Sequence, residues 1–248
     1  MTTEVPEWAG QIATDLPYPL IFATVSGAHL YGFASVDSDL DLRAAHVLPV
    51  AEVIGLRTGP ETLSTDGFRD GVELDVVSHD LLKFARLLNS RNGYVLEQLL
   101  SPLVVVTTPA HAELVALAPR LMTRNHAHHY LGFAATQEKV FAKTGELKPA
   151  LYLLRVLLTG LHLMRTGEVV ADLRELDAPA YAPDLIAAKR AAEHGPFPPD
   201  LAVALEKDVA RLRVELEAAR DASHLPDKPE PAAVRELHDL VVRVRLAA

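Results

Sequence analysis

Carboxylates alternate with apolar residues in two stretches of this chain, Asp39-Leu40-Asp41-Leu42-Arg43 and Val72-Glu73-Leu74-Asp75-Val76-Val77. Alternate side chains of a β-strand share a face, so Asp39, Asp41 and Arg43 point one way while Leu40 and Leu42 point into a core. The second stretch repeats the pattern, with Glu73 and Asp75 on one face and Val72, Leu74 and Val76 on the other. Adjacent carboxylates repel unless a cation lies between them. Their spacing suits a hard divalent ion with oxygen ligands, magnesium or manganese. An Asp-x-Asp alone is more often a solvated turn feature, but a third acid from a second strand predicts a two-metal site. Such a site is the usual apparatus of in-line phosphoryl or nucleotidyl transfer. Asp75, flanked by apolar residues as Asp41 is, is the predicted third ligand, with Glu73 as its competitor.

The surrounding elements have to position these groups. The apolar run at residues 20–25 reads as a buried strand ending in a glycine turn, Ser26-Gly27-Ala28, whose backbone N–H groups face an anion such as a triphosphate. A short helix or turn at 29–33 and a polar loop at 35–38 lead to the acidic strand, with Ser38 shaping the turn. Ser78 reads as the N-cap of a helix over 80–88. Residues 146–165 form the strongest predicted helix. On it Lys148 and Arg155 stand two turns apart on one face, a cation pair able to hold the β- and γ-phosphates of a nucleotide. His126 and His129 lack the acid and the spacing of a zinc-binding helix and read as polar helix-face histidines. Two amphipathic helices, at 201–222 and 232–246, are expected to pack together on a helical domain.

At 248 residues, 49% of them hydrophobic, the chain is long enough for a substantial core. It has no cysteine, which removes disulfides, thiolate metal sites and cysteine nucleophiles. No apolar run reaches the ~18 residues needed to span a bilayer, and the opening residues lack the pattern of a secretory signal. A cytoplasmic protein with no membrane partner is the expectation. The net charge of −9 disfavours a long nonspecific grip on nucleic acid, which depends on neutralised phosphates, without opposing a local groove for one RNA end.

Gly27, Ser38-Asp39-x-Asp41 and a lone acid on a later strand resemble the DNA polymerase beta superfamily of nucleotidyltransferases. The longer set SGAHLYGFASVDSDLDLR, Lys83-Phe84-Ala85-Arg86-Leu87-Leu88, Val95-Leu96-Glu97-Gln98-Leu99 and Lys148-Pro149-Ala150-Leu151-Tyr152 is similar to the predicted nucleotidyltransferases related to RNA-repair-pathway polymerase-beta-like proteins. The resemblance implies an α+β fold: a small mixed-sheet catalytic domain over 1–107, then a mostly helical domain over 108–248 that completes the nucleotide and acceptor cleft. It implies an enzyme moving a nucleoside monophosphate from an NTP to an acceptor, an RNA or tRNA end or a protein, with release of pyrophosphate. Asp39, Asp41 and Asp75 would hold magnesium or manganese. Ser26, Gly27, Ala28, Ser38, Arg43, Lys148 and Arg155 would contact the nucleotide. One departure stands out, Gly27-Ala28 where that superfamily usually has Gly-Ser or Gly-Gly. It motivates the alternative of a catalytically silent nucleotide- or RNA-binding module. A protein AMP-transferase of toxin–antitoxin type is the other alternative.

Overall fold

The alternating and apolar stretches fold as a five-stranded mixed sheet. In the computed structural model, which describes residues 5–193 and 195–248, chain order begins with α1 (Trp8–Thr14), β1 (Leu20–Val25), α2 (Gly27–Leu30), β2 (Leu40–His46), α3 (Ala51–Ile54), β3 (Thr62–Arg69) and β4 (Val72–Asp80). It continues with α4 (Leu81–Leu88), α5 (Gly93–Leu99), β5 (Val104–Val106) and α6 (Pro109–Leu121). The remaining helices are α7 (Ala127–Thr144), α8 (Leu147–Thr166), α9 (Ala182–Ala191), α10 (Ala202–Ala222) and α11 (Pro231–Ala247). Strand order is β3-β4-β2-β1-β5. The α+β class expected from sequence is the one found.

Two compact units divide the chain. The first takes residues up to Leu30, Asp39–Leu121 and Pro229–Ala248; the second takes Tyr31–Ser38 and Met122–Lys228. This partition differs from a single boundary at 107/108. α6 stays with the sheet because β1 and α5 lie against it, and α11 returns to the first unit. The reason for that return is a buried ion pair. Arg245 Nη1 and Nη2 donate to Asp80 Oδ1 and Oδ2 at 2.7 and 2.8 Å, and Nη1 also donates to the Leu48 carbonyl. α10 instead packs on α8 and α7 in the second unit. The expectation that both terminal helices share one helical domain is therefore corrected.

Within the first unit, Leu40, Leu42, Leu74, Val76 and Val25 form a core with Ala9 of α1, and Trp8 packs at its margin. On the other sheet face Phe22 meets the rings of Phe84 and His111, from α4 and α6. Asp80 rather than Ser78 caps α4, accepting from the Leu82 N–H at 2.9 Å. Ser78 is still inside β4 and bonds to His46. β3 and β4 are joined through Asp70 and Gly71, both at positive φ, the requirement of a two-residue hairpin turn.

In the second unit α8 is the buried centre, its leucines covered by α7, α9 and α10. By length and composition it could cross a membrane, yet 83% of the qualifying stretch is buried. That burial is what the core helix of a packed domain requires. His126 is also buried. Its Nδ1 accepts from the Thr123 N–H at 3.1 Å, so this histidine, read as a polar helix-face residue, is enclosed just ahead of α7.

Candidate functional site

β2 and β4 run parallel, and their register sets Asp41 directly beside Asp75. The alternation that sends Leu40, Leu42, Leu74 and Val76 to the core leaves both carboxylates on the opposite face. Arg43, two residues along the same face, lies between them. Its Nη2 donates to Asp41 Oδ1 at 2.6 Å and to Asp75 Oδ2 at 2.7 Å. Asp41 is the more enclosed of the two, its side chain 14% exposed against 35% for Asp75. Burial pushes the Asp41 carboxyl up to about 6; Arg43 opposes this, and the carboxylates of Asp39 and Asp75 add to it. Asp39 precedes the strand and is half-buried. Glu73 is exposed and sits opposite Phe68 on the β3–β4 hairpin.

The turn after β1 is built around Asp41. Gly27 has φ +60°, and a Cβ there would fall 1.7 Å from Asp41 Oδ2, so neither the backbone nor the space admits a side chain. The Ser26 N–H donates to the Asp41 carbonyl at 2.9 Å, tying the turn to the acidic strand. Ser26 Oγ is buried, and no hydrogen-bond partner for it is found among the described residues. Ala28 follows, buried, in the first turn of α2.

A second polar cluster lies wholly within the other unit. Glu193 Oε2 accepts from Ser35 Oγ at 2.6 Å, Ser38 Oγ at 2.7 Å and Lys189 Nζ at 2.5 Å, and Oε1 accepts from Lys148 Nζ at 2.8 Å. Burial works against the charged form of Glu193. The donations from the two lysines and two serines outweigh it and hold the carboxyl well below the usual range. Lys148 and Ser38, two of the residues expected to contact the nucleotide, thus share Glu193 as a partner. Arg155 is placed differently: it is buried, its guanidinium carbon 3.8 Å from the centre of the Tyr31 ring.

The model of the RNA repair pathway DNA polymerase beta family matches residues 1–243. The chain belongs to that family. A curated relative, the uncharacterized protein MJ0002 of Methanocaldococcus jannaschii, is 31% identical over 157 residues, 61% of this chain. The chain spans 63% of that relative's length. Among solved structures, a nucleotidyltransferase-like protein from Exiguobacterium sibiricum is matched over 96% of this chain and 78% of that one, at 12% identity and a TM-score of 0.32.

As a member of the polymerase beta family, the chain can be asked whether its acids suit a divalent cation. The donor type fits: two carboxylates abreast, one of them held at a raised pKa by burial and like charge, are relieved by a cation. Arg43 uses one oxygen of each, leaving Asp41 Oδ2 and Asp75 Oδ1. Among the described residues no group of three Asp, Glu, His or Cys side chains is arranged to hold a metal ion. The structure brings together two of the three expected acids, and Asp39 stands next in line. Lys189, Ser35 and Glu193 were missed by sequence reasoning. The available signals were the Lys189–Glu193 spacing and Ser35-x-x-Ser38.

Proposed function

We propose that this protein transfers a nucleoside monophosphate from an NTP to an acceptor hydroxyl, with an RNA end favoured, and releases pyrophosphate. The acceptor oxygen forms a bond to the α-phosphorus as the bond from that phosphorus to the bridging oxygen of the β-phosphate breaks. The hydroxyl proton passes to solvent. One observation carries the reading: Asp41 and Asp75 abreast on paired strands, beside a glycine turn too tight for any side chain. Asp41 and Asp75, with Asp39, are the residues that would hold magnesium or manganese. The ion would lower the pKa of the acceptor oxygen and neutralise the leaving pyrophosphate. Gly27 lets the turn pack against Asp41 Oδ2 with no side chain between them. Arg43 orients both carboxylates through one oxygen each. Within the second unit, Lys148 and Ser38 are the residues proposed for phosphate contact.

The family description supports RNA as acceptor. The test is a fractionated labelling assay. Protein, magnesium and each α-labelled NTP in turn are incubated with cell lysate, and label is counted in RNA and protein fractions. Label in RNA that disappears with Asp41→Ala is the expected result. Undiminished transfer by folded Asp41→Ala would remove the site assignment, and label in protein alone would replace the acceptor. A second reading, a nucleotide-binding module without turnover, draws on Arg43, which already supplies one positive charge to the acidic pair. NTP binding with no label in either fraction would favour it.

A further inference from the structure

Four donors converge on one carboxylate in the second unit. Ser35 and Ser38 come from one loop, Lys148 from the first turn of α8 and Lys189 from the last turn of α9. Glu193 Oε2 alone takes three of the four hydrogen bonds. The Ser35 N–H donates to Ser38 Oγ at 3.0 Å, and the two hydroxyl oxygens are also 3.0 Å apart, so the serine pair is preformed. Lys189 is 1% exposed and Glu193 17%. A buried ammonium requires an anion. Two ammoniums and two hydroxyls aimed at one point match a phosphate group, with three or more acceptor oxygens and greater charge than a carboxylate.

The anion in place is held through its side chain, on backbone that lies beyond a helix end. α9 ends at Ala191, and Ala192 is extended (φ −155°, ψ 131°), so no helical bond holds Glu193. The backbone is fixed again just beyond, by Leu147 N–H to Gly195 O and Phe197 N–H to Gly145 O. A change of the Glu193 rotamer would vacate the cluster while both anchors persist. Its four donors would stay, three of them on buried side chains.

We propose that Ser35, Ser38, Lys148 and Lys189 form a binding site for a pyrophosphate moiety, and that Glu193 is an internal competitor which that moiety displaces. The moiety is either the β,γ-phosphates of an NTP or free pyrophosphate. The proposal rests on the reading of Lys148 and Ser38 as phosphate contacts, and adds Lys189, Ser35 and the competition.

Calorimetric titration of the full chain in divalent-free buffer tests it, with pyrophosphate in one arm and a non-hydrolysable NTP analogue in the other. Glu193→Gln should bind at least one of the two at least tenfold more tightly than wild type, with Glu193→Asp between them. Adding Lys148→Met to Glu193→Gln should reverse the gain. A gain in both arms assigns the site to the NTP, and a gain for pyrophosphate alone assigns it to the product. Unchanged or weaker binding of both ligands by folded Glu193→Gln overturns the proposal. If circular dichroism shows that variant unfolded, Glu193→Asp decides by the same criterion. Should wild type transfer label while Glu193→Gln gains no affinity, this site falls and the proposed function stands. The converse result removes the function and keeps the site.

Discussion

The two polar clusters are mirror images in charge. In the sheet unit two carboxylates share one guanidinium, and in the helical unit two ammoniums share one carboxylate. They differ in how the central group is held. Arg43 spends all five of its N–H groups: Nε on Tyr94 Oη, Nη1 on the carbonyls of Leu42 and Asp75, and Nη2 on the two carboxylates. Two of those partners are strand backbone, so Arg43 is part of the β2–β4 ladder. Every recorded partner of Glu193 is a side chain, and its backbone lies beyond a helix end. An internal counter-ion built into a sheet shapes its neighbours permanently, while one on a helix exit is exchangeable. Arg43 is thus a positioning residue, and Glu193 an occupant.

The largest expected effect follows from removing an acid that Arg43 positions. Asp41→Ala should lower label transfer by a thousandfold or more, about 4 kcal/mol in the barrier, with a melting profile still cooperative. Next comes a control pair. Asp80 and Arg245 form a buried, bidentate pair that also caps α4, and no ligand role is assigned to it. Arg245→Met should cost about 4 kcal/mol in denaturant unfolding, because a buried carboxylate loses its partner. Added manganese should not restore it. Arg43→Met sharpens the contrast. It should cost about 3 kcal/mol, less because Asp75 is partly exposed, and millimolar manganese should recover much of the loss. Equal responses of the two variants to manganese would show that the Asp41–Asp75 pair has no special affinity for a divalent cation.

How far this was readable from sequence follows the same division. The strands were legible because a period of two in Leu40-Asp41-Leu42 and Leu74-Asp75-Val76 has one physical reading, a half-buried strand. Alternation fixes which face Asp41 and Asp75 occupy, but not that β2 and β4 pair in register, which needed the likeness to a known family. The Glu193 cluster leaves only two short local signals, the Lys189–Glu193 spacing and Ser35-x-x-Ser38. Its serine loop lies more than a hundred residues before either lysine, and tertiary packing joins them. α11 was misplaced for a related reason: an apolar stripe at Val234, Leu237, Leu240, Val241 and Val244 says the helix must be covered, but not by what. The partner that decides it, Asp80, was itself hidden behind Ser78 as the apparent cap.

The smallest effect is a gain in stability. In the folded protein the Asp41 carboxyl titrates at about 6, above its ordinary value of 3.8. The native state therefore binds that proton more tightly than the unfolded chain does. The resulting stability is full below about pH 4 and is lost as pH rises through about 6. At neutral pH the charged form is a burden that Arg43 only partly relieves. Asp41→Asn keeps an oxygen to accept from Arg43 Nη2 and removes the charge. It should raise unfolding stability at pH 7.5 by about 1 kcal/mol, less than half of the value the shift implies, since the site relaxes and Arg43 loses a charged partner. The gain should fade as pH falls below about 4, where Asp41 is neutral in the folded state and becomes so in the unfolded chain. The corresponding change in the other cluster has the opposite sign. Glu193 titrates below its ordinary value, so its contribution is present above pH 4.5 and lost in acid. Glu193→Gln should therefore destabilise at pH 7.5 where Asp41→Asn stabilises. Melting curves of both variants between pH 3.5 and 7.5 give the comparison directly: loss of stability in both at neutral pH would mean that Asp41, like Glu193, is held by a counter-ion sufficient for it, leaving no charge for a metal to relieve.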